Sequence, residues 1–140
     1  MKYYNYFFIV GFITFNLSSC IKQQGPVVPE VVVTTVSFKE DIQPIFDTSC
    51  TFCHSAAAEE FNGELNLEAD QSYNELINVM AVTDNSYNRV TPEHIENSAL
   101  YLMINESGTF TMSMPLGADP LSNHNQNLIK VWIEEGALNN

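Results

Sequence analysis

A chain of 140 residues with 17 acidic against 5 basic groups carries a formal charge of −12. Such a surface repels nucleic-acid phosphates and anionic lipid headgroups, so nucleic acid is excluded as a partner and any protein partner is expected to present Lys or Arg. Three cysteines are too few for a disulfide scaffold, and the length suits one domain of ordinary size behind a short leader.

The leader comes first. Lys2 precedes the apolar run Phe7–Phe15, and Leu17-Ser18-Ser19 places small residues before Cys20. This reads as a secretory signal, because the run is shorter than the roughly 20 residues a membrane span needs. Asn5 and Asn16 bracket the run and speak against a retained anchor helix. Leu-Ser-Ser-Cys also resembles the bacterial lipoprotein lipobox. That resemblance implies a signal peptide over residues 1–19, cleavage before Cys20 and lipid on Cys20; a plain signal peptide with an uninvolved cysteine is the alternative. It also implies a lipid-anchored protein of the cell envelope. Ile21 stands where lipoproteins kept at the inner membrane usually carry Asp, which favours the outer membrane, periplasm-facing or surface-exposed.

Residues 20–35 follow as the lipidated Cys and an extended linker. Gly25, Pro26, Pro29 and a run of β-branched residues disfavour a helix. Stretched near polyproline geometry, the linker reaches on the order of 45 Å at about 3.1 Å per residue. A short strand over residues 31–36 is the other reading.

Residues 36–140 read as one mostly α domain. Ser37-Phe38-Lys39-Glu40 has the form of a capping box, and Phe38, Ile42, Ile45 and Phe46 follow at helical spacing. Pro44 lies inside that pattern and is expected to bend or divide the helix. The helix delivers the chain to Cys50-Thr51-Phe52-Cys53-His54. A Cys-x-x-Cys-His run is the attachment site of a c-type haem: two thiols about one turn apart meet the two vinyl groups, and the adjacent imidazole reaches the iron. A redox disulfide needs a βαβ context that is not evident, and a zinc site needs a second ligand pair, which His94 and His124 do not form.

Residues 55–69 read as loop, with one short turn at Ala56-Ala57-Ala58. A second helix opens near Asp70 or Ser72, Ser72–Glu75 having the form of another capping box, with Leu76, Ile77, Val79 and Met80 as its apolar side. Residues 81–96 are polar and read as a surface loop. Asn97 or Ser98 caps a third helix to about Glu106, with Leu100, Met103 and Ile104 on one face. A long loop from Gly108 to Pro120 leads to a last helix starting at Ser122, carrying Leu128, Ile129, Val131, Trp132 and Ile133 and stopped by Gly136. Four short helices make a thin core, which a covalently held porphyrin would enlarge.

The stretch from about Ser37 onward resembles a monohaem cytochrome c domain, similar to the planctomycete-type cytochrome c-like domains of bacterial lipoproteins. The likeness rests on Asp41-Ile42-Gln43-Pro44-Ile45-Phe46 before Cys50-x-x-Cys53-His54, then Met114-Pro115-Leu116-Gly117 and Trp132-Ile133-Glu134-Glu135-Gly136-Ala137. It implies a small helical domain wrapped around one covalent haem c, with the first and last helices crossing so that Ile45 or Phe46 meets Trp132. His54 takes the proximal iron position through its neutral imidazole. For the distal position the residues alone offer Met80, Met103, Met112, Met114, His94 and His124. The resemblance implies Met114, the Met of a Met-Pro loop before the last helix, with Met112 as runner-up. Met80 and Met103 fit a core at helical spacing, and His94 and His124 fit a solvated surface.

Three function classes follow. The first is electron transfer by a membrane-anchored monohaem cytochrome with His/Met ligation, not an enzyme, serving a redox partner protein with a basic docking surface. The second is a haem sensor or haem enzyme with an open sixth position, although Arg89 is the only arginine and forms no distal acid-base pair. The third is a non-haem lipoprotein with a Cys50–Cys53 disulfide.

Overall fold

The computed structural model describes residues 35–58 and 63–140. All of them belong to one compact unit, Val33–Asn140. The expected signal peptide, Cys20 and all of the linker but Thr35 lie outside the described residues. Among the described residues the domain is built from helices and turns, with three isolated β-bridges. None of its helices is long and apolar enough to cross a membrane.

The chain opens with a π-helical turn, Phe38–Ile42, that runs into α1, Gln43–Ser49. Pro44 explains the division. It has no N–H for the carbonyl four residues back, so the turn before it widens and α1 starts afresh with the proline in its first turn. Ser37 caps the turn as expected, its Oγ accepting from the Glu40 amide at 3.1 Å. The reciprocal bond of the expected box is made by Asp41 instead of Glu40: Ser37 N donates to Asp41 Oδ2 at 2.8 Å. A five-residue turn moves that contact one position along.

Ala56–Ala58 is a short 3₁₀ turn. Helix α2 is brief, Ser72–Leu76, and its N-cap is Gln71. Ser72 is not a cap. It is fully buried, and its Oγ donates to Gln43 Oε1 at 2.6 Å. The helix stops before Val79 and Met80, with Asn78 at φ +56°, and Met80 is 64% exposed, which removes it from the core.

Residues 77–98 are not a loose surface loop. They fold back through bridges Ile77–Val90, Met80–Asn88 and Asn88–Ser98, and bury Ala81, Arg89, Val90 and Ser98. Arg89, 8% exposed, organises the segment. Its guanidinium donates to the Glu75 carboxylate at 2.7 Å, to the Glu75 carbonyl at 2.9 Å and to the Glu64 carbonyl at 2.6 Å. A planar fork with five donors suits three acceptors of this kind, and its loss would remove three partly buried bonds at once. After a 3₁₀ turn at Ile95–Asn97 comes α3, Ala99–Ile104, and after the long loop α4, Asn123–Glu134. Ser122 caps α4 through the Asn125 amide at 3.2 Å, and Gly136, at φ +98°, ends it as expected.

The core joins the first turn to the last helix. Phe38 touches Trp132 and Tyr73, each with ring centroids 5.2 Å apart, and lies edge-on to Phe46 at 6.3 Å. Phe38 makes a ring contact with Trp132, and Ile45 and Phe46, one of which the resemblance implied would meet Trp132, lie in the same core cluster. The π-turn, the first of the described elements, packs against α4. Residues after α4 close the arrangement. Trp132 Nε1 donates to the Leu138 carbonyl at 2.9 Å and Tyr73 Oη to the Ala137 carbonyl at 3.0 Å. Asn140 accepts from Phe38 N at 2.8 Å, from Ser37 Oγ at 2.9 Å and from Lys39 N at 3.0 Å.

Candidate functional site

Helix α1 ends where the motif begins. Cys50 N donates to the Phe46 carbonyl at 2.8 Å, closing the last α-turn. The Cys50 carbonyl then accepts from both Cys53 N at 3.1 Å and His54 N at 2.9 Å. One carbonyl thus holds the main chain of Cys53 and His54 in a single turn beside Cys50. Thr48 and Thr51 steady the approach, their hydroxyls donating to the Pro44 and Asp47 carbonyls at 2.9 and 3.0 Å.

The two thiols are free and differ in setting. Cys50 packs against the core, whereas Cys53 is exposed. Burial, and next the charge of nearby Cys53, push the Cys50 thiol up to about 11 from an ordinary 9.0. Between them stands Phe52, 95% exposed. A large apolar side chain left in water beside an exposed thiol makes this the least self-covered part of the domain.

His54 is half-buried. Its carbonyl accepts from Leu67 N at 2.8 Å, and the Leu67 carbonyl accepts from Gln43 Nε2 at 3.0 Å. Gln43 and Leu67 were not singled out in the sequence. A glutamine among Phe38, Ile42, Ile45 and Phe46 was the available signal, since a polar residue on a core face needs partners there.

The other predicted ligands separate by exposure. Met114 is half-buried, packs on the same core as Cys50, and is held by a bond from its amide to the Met103 carbonyl at 3.1 Å; its peptide bond to Pro115 is cis. Met103 is also half-buried. Met112 is 47% exposed. His94 and His124 are at the surface, His94 Nδ1 lying 2.9 Å from the Glu96 carboxylate. Among the described residues no three His, Cys, Asp or Glu side chains converge on a point that could hold a metal ion.

No family model and no curated protein matches the sequence. Among solved structures, 73% of the chain is similar to a hydrazine synthase chain of Kuenenia stuttgartiensis, with a TM-score of 0.50 and 24% identity. The likeness is one of fold. This chain covers 16% of the length of that one.

The donor set suits a covalent porphyrin. It comprises two thiols one turn apart, an imidazole in the next position, and a half-buried thioether on the shared core.

Proposed function

We propose that this chain is a membrane-anchored monohaem c-type cytochrome that carries single electrons. The observation behind this reading is the Cys50–His54 turn at the end of α1: two residues with free thiols and one with a half-buried imidazole share a single turn, closed by the Cys53 and His54 amides on the Cys50 carbonyl. The chemistry supplied by bound haem c is a one-electron cycle between ferric and ferrous iron. The residues do the rest. Cys50 and Cys53 hold the group covalently. His54 would supply an iron-binding nitrogen, and Met114 an iron-binding sulfur from a loop tied to α3 through Met103. A soft neutral sulfur favours the ferrous state and raises the potential.

With His54 and Met114 both holding the iron, no position would be left for a substrate, so this reading is of a carrier and not of an enzyme. The acidic surface selects a redox partner with a basic docking face. Lipid on Cys20 would hold the protein in the cell envelope, with the outer membrane favoured. Several acyl chains on one cysteine anchor stably where a single chain is marginal.

The test is visible absorption of protein from cells that mature c-type haem, oxidised and reduced, with and without carbon monoxide. A low-spin reduced spectrum that carbon monoxide leaves alone, with a sulfur–iron band in the oxidised form, is expected. Ready carbon monoxide binding would replace the carrier with a sensor or enzyme. Absence of haem would leave Cys50 and Cys53 as a disulfide or metal pair.

A further inference from the structure

Gln43 lies in the first turn of α1, 6% exposed, with its amide fully engaged. Oε1 accepts from Ser72 Oγ at 2.6 Å, and Nε2 donates to the Leu67 carbonyl at 3.0 Å and to Asp47 Oδ1 at 2.7 Å. Leu67, also buried, passes the connection on, because its amide donates to the His54 carbonyl at 2.8 Å. The other end of α1 carries Cys50. One buried side chain therefore bonds the thiol-bearing helix to the residue that holds the imidazole's main chain. Helix α1 has only seven residues, and among the described residues beyond His54 no α-helix occurs until α2. Local structure alone gives the motif turn little stiffness, and a short helix is marginal without tertiary bonds.

We infer that Gln43 is a positioning residue, setting the angle and reach of His54 relative to Cys50 through Leu67, with Ser72 fixing the amide's orientation. This rests on the haem reading above. An amide buried only to satisfy its own polar atoms would affect stability and nothing else. A brace on an iron ligand also changes the ligand field when released.

The experiment uses the full chain matured with haem, as wild type, Gln43→Leu, Ser72→Ala and Tyr73→Phe. Tyr73→Phe removes a different long-range hydrogen bond, to the Ala137 carbonyl, and serves as the stability control. Covalent haem per chain, the oxidised spin state by paramagnetic resonance, and amide exchange at Leu67 are read for each. Gln43→Leu should keep covalent haem while the fraction of iron outside the low-spin state and the Leu67 exchange rate each rise about tenfold, the size expected from losing the one of its three bonds that reaches the Leu67 carbonyl. Ser72→Ala should move both the same way by less, and it carries the test if Gln43→Leu does not fold. Tyr73→Phe should move neither. A Gln43→Leu protein with wild-type spin state overturns the inference, whether or not its stability falls. A wild-type protein without covalent haem overturns the haem reading itself and is recognised before any variant is compared.

Discussion

The helical segment that runs from the π-turn to the end of α1 has two ends in opposite circumstances. At its start, Phe38, Trp132 and Tyr73 meet ring against ring, and Asn140 bonds back onto Ser37, Phe38 and Lys39. At its finish, Cys53 and Phe52 stand in water and Cys50 is only partly covered. The first region is complete in the polypeptide alone. The second has its hydrogen bonds in place but leaves apolar and thiol groups uncovered. In this fold the ring-packed core and the uncovered motif turn lie at opposite ends of one short helical segment, and Gln43 connects them.

Substitutions can break that separation, and the largest effect belongs to the motif. Cys50→Ala with Cys53→Ala should abolish covalent haem outright, read by haem staining after denaturation, while the ring cluster keeps the domain folded. Full haem incorporation in that double variant would end the cytochrome reading. Trp132→Ala does the converse. It should cost about 3–5 kcal/mol in a denaturant titration, with haem still attached in the molecules that fold.

Met114→Ala should lower the reduction potential and admit carbon monoxide, whereas Met112→Ala should leave both alone; the reverse result moves the sulfur ligand to Met112. A pH series sharpens the comparison further. In the haem-free chain Cys50 keeps its proton up to about 11, against 9.0 when unfolded. A raised folded value means the stabilisation is intact below pH 9 and drains away as pH climbs toward 11. The loss is about 2 kcal/mol after allowance for partial exposure. Urea midpoints across that window should show it, and Cys50→Ala or thioether formation should erase it, since neither leaves a thiol to titrate. The smallest effect is Asn140→Ala. It removes a cap acceptor from the Phe38 amide and should cost about 1 kcal/mol, with no change in the haem spectrum.

Local signals in the sequence carried most of the helical layout. Ser37 and Ser122 as caps, Pro44 as a divider and Gly136 as a stop act over a few residues, and each stands where its chemistry puts it. The motif turn was legible for the same reason. Long-range bonds were not. Ser72 has the spacing of a cap but spends its hydroxyl on Gln43, 29 residues away. Residues 81–96 look like solvent-facing loop because their polarity is high. Yet Arg89 turns inward to carbonyls 14 and 25 residues back, and nothing in the local pattern distinguishes a paired arginine from a solvated one. Met80 fits a helical stripe only if the helix continues, and the left-handed turn at Asn78 ends that possibility.

The bonds between Asn140 and the first turn have a mechanical consequence. Val36 N donates to Glu135 Oε2 at 2.9 Å, and the next three residues are tied to Asn140. A load applied to the chain ahead of Val36 therefore meets a set of hydrogen bonds to the far end of the sequence before it reaches α1. Force arriving from that direction is shunted into the Trp132 side of the domain, and the Cys50–His54 turn is left unstretched.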